Sequence, residues 1–143
     1  MSRKRGRVLW SWIPNTSVGN IALDEPLESV KSKQELLAGD EDSITGWASY
    51  FIPEQDIYID VEDGKVVSIT SYKKFYYKGK NCIGLNILEL GELLGVLPDE
   101  IGIPLEFEDG EIKTPREYSE LGLQLWTTNN HVISITCLTY KDN

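Results

Sequence analysis

One histidine, His131, two cysteines, Cys82 and Cys137, and two runs of carboxylates are the groups in this 143-residue chain that could carry catalysis or hold a metal. A metal site or a histidine-based mechanism needs several groups converging, and His131 stands alone at an expected hairpin turn. Both cysteines lie in apolar, strand-like runs, where a free thiol behaves as a small buried hydrophobe. Asp40, Glu41 and Asp42 lack the glycine and ligand spacing of a calcium loop, so they are expected to form a solvated acidic loop. Glu106, Glu108, Asp109 and Glu111 alternate along a strand and turn. Paired carboxylates can do acid and base work, but this alternation is also that of an exposed sheet edge, and the edge is the expectation. No glycine-rich phosphate cradle and no G-x-S-x-G elbow occurs. The residues predict no enzyme, no cofactor and no metal, but a protein that binds.

Charge narrows what it could bind. The net charge is −9, yet Arg3, Lys4, Arg5 and Arg7 supply four positive charges in the first seven residues, so the rest carries −13, ten basic against 23 acidic residues. Such a field repels nucleic acid and speeds encounter with a basic partner. The tract Tyr72, Lys73, Lys74, Phe75, Tyr76, Tyr77, Lys78 mixes bases and aromatics as single-strand binders do. On so acidic a domain it reads instead as a strand end leading into a turn at Gly79. No run approaches the length of a membrane span, and the basic start MSRKRGRVLWSWIPN lacks the cleavage site of a secretory signal, so a cytoplasmic protein is expected.

The elements that must position any binding residues are written twice. Ile57 to Thr70 reads IYIDVEDGKVVSIT and Leu123 to Thr136 reads LQLWTTNNHVISIT, an offset of 66 residues. Upstream, VGNIAL at Val18 to Leu23 answers CIGLNI at Cys82 to Ile87, each leading into a helical apolar pattern. The first helix runs from Asp24 with Leu27, Val30 and Leu37 on one stripe and Gly39 as its stop. The second starts at Asn86 with Glu89 in capping-box spacing, carries Ile87, Leu90, Leu94 and Leu97, and ends near Gly95. A further strand is expected over Ile103 to Phe107 with a turn at Asp109-Gly110. The prediction is an α+β single domain over 1–143 of two repeats of about 65 residues, 16–78 and 79–140, after a basic arm, 1–15. Each repeat is a strand, a helix and a β-hairpin, and two helices cover one face of an antiparallel sheet.

Register decides which side chains are left on the other face. A three-residue loop, Glu62-Asp63-Gly64, sets Val61 against Lys65, Ile59 against Val67 and Ile57 against Ile69, keeping the apolar sets together. The same loop in the second hairpin puts Asn130 in a left-handed slot and sets Leu125 against Ile133 and Leu123 against Ile135. Ile57, Ile59, Val61, Val67 and Ile69 then look toward the helices. Tyr58, Asp60, Ser68, Thr70 and Tyr72 look away, as do Gln124, Trp126, Ser134 and Thr136. Tyrosine and tryptophan among small polar groups compose a recognition surface, unless Trp10 and Trp12 of the arm lie over it.

The duplicated glycine-containing strand, apolar helix and hairpin ending in V-x-S-I or V-I-S-I resembles tandem-repeat α+β proteins of the β-lactamase-inhibitor-like kind. In size, acidity and lack of catalytic groups the chain is similar to bacterial immunity proteins that neutralise polymorphic or contact-dependent growth inhibition toxins. The likeness spans residues 18–137. It implies a cognate basic toxin, a nuclease, as partner, met by Tyr58, Asp60, Tyr72 and Trp126 on the sheet face, with Asp40, Glu41 and Asp42 steering its approach. Two other uses of that face stay open: a small-ligand site, and self-association of a homo-oligomer.

Overall fold

The computed structural model of the chain describes residues 9–41 and 47–139. Three short strands, β1 (Trp12–Ile13), β2 (Ser17–Val18) and β3 (Ile21–Ala22), precede helix α1 (Leu27–Lys33). Strands β4 (Leu37–Glu41), β5 (Ala48–Ile52), β6 (Ile57–Glu62) and β7 (Lys65–Ser71) follow. A small hairpin of β8 (Tyr76–Tyr77) and β9 (Lys80–Asn81) leads to helix α2 (Ile87–Leu94). The chain closes with β10 (Glu100–Ile101), β11 (Leu105–Glu106), β12 (Ile112–Tyr118), β13 (Leu123–Thr128) and β14 (His131–Leu138). The large sheet runs β10-β12-β13-β14-β7-β6-β5-β4, with β11 also on β12, and every pairing in it is antiparallel. This is a mixed α+β protein, mostly antiparallel sheet with two helices.

The hairpins set the faces, and they do so differently from the sequence-based register. Val61 faces Val66 and Asp60 faces Ser68, so the loop is the two-residue Asp63-Gly64 turn and Val67 is an extra residue on β7. Asp63 and Gly64 have φ of 52° and 75°, the doubly left-handed turn whose twist matches that of the strands. Without a bulge this short loop would send the two apolar sets to opposite faces. The bulge restores the phase, so Ile59 lies against Ile69. The second hairpin repeats the solution: Asn129 and Asn130 take φ of 51° and 63°, Ile133 is the extra residue, and Leu125 lies against Ile135 and Leu123 against Cys137. Val66 and Val132, not Val67 and Ile133, therefore enter the core.

Each bulge also receives the residues leading into a helix. Asp24 N–H donates to Val66 O at 2.8 Å, Val66 N–H to Glu25 O at 3.0 Å and Leu27 N–H to Gly64 O at 2.8 Å. In the second half Gly84 N–H donates to Val132 O at 2.8 Å, Val132 N–H to Leu85 O at 2.9 Å and Ile87 N–H to Asn130 O at 2.8 Å. Both helices are thus fastened to the same side of the sheet. Their core residues Val30, Leu90 and Leu94 share one apolar cluster with Ile57, Ile59, Ile69, Leu123, Leu125 and Ile135. Each fully buried aliphatic side chain there contributes about 1.5–3 kcal/mol. Trp10 and Trp12 are buried in this cluster too, Trp12 ringed by Phe75 at 5.5 Å and Tyr77 at 4.8 Å between centroids. They do not lie over the opposite face, and the aromatic-basic tract divides, with Phe75 inside and Tyr72 outside.

α2 has the expected ends: Asn86 Oδ1 accepts from Leu88 N–H at 2.8 Å, and Gly95 closes it at φ 74°. Glu89 does not complete a capping box but pairs with Lys80 at 3.7 Å. Leu97, past the helix, is 86% exposed rather than part of its stripe. α1 is shorter than its periodicity suggests. It ends at Gln34, and Leu37 is in β4 opposite Phe51, because pairing at the sheet edge outweighs the propensity of a helix with no side-chain cap. Gly39 accordingly lies in a strand, not at a helix stop. The expected strand over Ile103 to Phe107 is the shorter β11.

α1 has seven residues, too few to persist alone, and Glu25 anchors it. The Glu25 carboxylate is 9% exposed, accepts from Ala22 N–H at 2.9 Å and from the Ser29 hydroxyl, and meets Lys33 Nζ at 2.6 Å. Burial raises its pKa, but Lys33, Ser29 and the Ala22 amide outweigh that and hold it below 4.5. A group depressed on folding stabilises above its unfolded pKa and loses that contribution as pH falls through the folded value. Urea unfolding between pH 3 and 7 is expected to show a stability loss below about pH 4.5 that Glu25→Gln lacks, the variant being about 1–3 kcal/mol weaker at pH 7.

Candidate functional site

Alternation along β6, β7, β13 and β14 leaves one sheet face turned away from the helices. Along it Phe51, Tyr58, Thr70, Thr136 and Gln124 stand side by side on five adjacent strands. Thr70 and Thr136 join their hydroxyls across the central strand pair at 2.8 Å. On one flank Phe51, Tyr58 and Tyr72 form an aromatic series, with centroids 5.8 Å and then 5.5 Å apart, the second contact edge-on. On the other flank Phe107 meets Trp126 edge-on at 5.7 Å. Tyr72, Phe107, Trp126 and Ile133 border a hollow of about 380 Å³ that joins the flanks. Tyr58 and Tyr72 are 41% and 47% exposed, so the band is open to a partner.

Three of the four residues expected to meet a partner on this face, Tyr58, Tyr72 and Trp126, are aromatic members of the band. The fourth, Asp60, sits beside it with a fixed orientation. Ser49 Oγ donates to Asp60 Oδ1 at 2.8 Å and Ser68 Oγ to Oδ2 at 2.7 Å, one serine from each neighbouring strand. The two serines fix the orientation of the half-buried carboxylate, and hydrogen bonds to a carboxylate are stronger than those between neutral groups. Of the acidic cluster, Asp40 and Glu41 belong to the edge strand β4, and Asp42 lies outside the described residues.

Residues not foreseen from the sequence complete the band. Phe51 enters because β5 pairs with β6, and Phe107 because the loop after β11 folds back on β12. Lys113 Nζ stands 4.3 Å from the Phe107 ring centre and 3.7 Å from Asp109, bracing that loop. Ile133 joins as the bulge residue. Adjacent apolar doublets just after the turns, Val66-Val67 and Val132-Ile133, are the sequence signal of both bulges.

His131 is exposed, its Nδ1 2.8 Å from Asn129 O, and Glu106, Glu108 and Glu111 are exposed near the sheet edge. Cys82 and Cys137 are free and buried, and burial pushes their thiols up to about 11 and about 12. The Trp12 indole N–H, which meets no oxygen or nitrogen acceptor, faces the Cys137 sulfur and offsets its shift only in part. Among the described residues no group of three His, Cys, Asp or Glu side chains could hold a metal ion, and no helix is long and apolar enough to cross a membrane. Comparison of the chain with family models, with curated proteins and with solved structures finds no match.

Tyr72 reports the electrostatics of the face. Burial raises its pKa above 10.0, and the charges of Tyr58, Asp56 and Asp60 raise it further. Titration of tyrosine absorbance is expected to show Asp60→Asn lowering the Tyr72 midpoint only in part, since burial is the larger cause. An unchanged midpoint would mean that the charge of Asp60 does not reach this ring.

Proposed function

We propose that this chain is a non-catalytic inhibitor of the cytoplasm, an immunity protein that binds a basic bacterial toxin through the outer sheet face and blocks its active site. The observation that carries the reading is the exposed aromatic band beside the serine-held carboxylate of Asp60. Rigid tyrosine and tryptophan side chains bury much area with little loss of freedom, and hot spots concentrate in such residues. A fixed carboxylate beside them suits a lysine or arginine. The surplus of acid outside the first seven residues adds long-range attraction, and a nuclease, basic where it holds phosphates, is the toxin that this combination suits best.

The same reading takes the chain to be a duplicated module of about 65 residues. Supporting it are the 66-residue offset, the Thr70–Thr136 contact at that same spacing in the middle of the sheet, and the matching amide bonds at the two bulges. Duplication would give a broad face from a short chain, and divergence would give its halves different chemistry: Asp60 and Trp126 stand at corresponding positions.

The test is binding to the product of the adjacent reading frame, by size-exclusion chromatography and calorimetry. A stable complex is expected, with Trp126→Ala and Tyr72→Ala each losing ~2 kcal/mol or more while circular dichroism stays native. Asp42→Ala is expected to slow association with little effect on dissociation, and added salt to do the same. Folded variants that bind as well as the parent protein would remove this face from the account.

A further inference from the structure

On the helix side of the sheet, independent of the outer face, α2 leaves the inner surface of the last strands uncovered. Between the C-terminal end of α2 and strands β10 and β12 runs an open groove of about 730 Å³, within the size range of sites for small molecules. Leu88, Val96, Leu97 and Ile101 border it and are 76%, 38%, 86% and 55% exposed. Contiguous apolar surface of this kind on a monomer marks a binding site.

The groove contains one cation. Arg116 is the only arginine beyond the first seven residues, the other nine bases there being lysines. Its Nε donates to Thr127 Oγ1 at 3.4 Å, and the Thr127 hydroxyl, 2% exposed, in turn donates to Thr114 O at 3.3 Å. Among the described residues Arg116 pairs with no carboxylate. Glu92, which also borders the groove, is exposed on the helix. A guanidinium held through Nε keeps its outer N–H groups for an oxyanion, which it grips with two parallel bonds.

We infer that this groove binds a single-chain amphiphile with a carboxylate head, the head on Arg116 and the hydrocarbon chain along Leu88, Leu97 and Ile101. A wholly apolar occupant would strip water from the guanidinium and return no acceptor, which is unfavourable. A phosphate head would bring a second negative charge into the field of an acidic protein, so the monoanion fits better.

The experiment uses the full ¹⁵N-labelled chain, titrated below their micelle concentrations with dodecanoate, dodecyl phosphate and dodecyltrimethylammonium. Saturable amide shifts confined to 87–101 and 116–118 are expected with dodecanoate, which should bind about tenfold or more tighter than the cationic amphiphile. Arg116→Met should abolish that preference, and Leu97→Asp, a change at an exposed site that leaves the fold intact, should abolish binding. Three results would each overturn the inference: no saturable shift, equal affinity irrespective of head charge, or tighter binding of the phosphate. So would a concentration-dependent dimer by light scattering that Leu97→Asp dissolves, since the groove would then serve a second copy. Failure here leaves the outer face untouched, because Tyr58, Tyr72 and Trp126 lie across the sheet.

Discussion

Two bulged hairpins govern this molecule. A left-handed two-residue turn and a simple alternation of apolar residues are incompatible on their own, because the turn puts the two strands half a period out of phase. One extra residue on each returning strand, Val67 and Ile133, restores the phase. From that correction follow the identity of the core face, the seating of both helices through Asp24, Leu27, Gly84 and Ile87, and the exposure of the aromatic face opposite.

The two faces differ in how their polar atoms are treated. Inside, polarity is local: Glu25 ties α1 to the β2–β3 region, and Thr127 orients Arg116. Outside, polar groups are held in place rather than consumed. Asp60 spends one acceptor position per oxygen on Ser49 and Ser68, while Thr70 and Thr136 satisfy each other between the aromatic flanks. A surface arranged this way loses little freedom on meeting a partner, which favours affinity.

Much of this arrangement was legible in the sequence, for reasons that can be located. Tyr58, Tyr72 and Trp126 were placed on one face because strand parity survives an error of two residues in register. The ends of α2 were legible because Asn86 and Gly95 act through local backbone geometry. What failed depended on distant partners. Leu37 was assigned to a helix until β5 claimed it for the sheet, Trp10 and Trp12 gave no sign that they belong to the core, and Phe51 and Phe107 reach the band only through strand and loop packing. The bulges were misjudged because a doublet such as Val66-Val67 reads equally as continued strand.

The most direct measurement is hydroxyl-radical footprinting of the protein free and in complex with the toxin proposed as its partner. The account predicts that Tyr58, Tyr72 and Trp126 are oxidised in the free protein and protected in the complex, while Leu88 and Leu97 react alike in both. Protection of Leu88 and Leu97 with the three aromatics unchanged would contradict it.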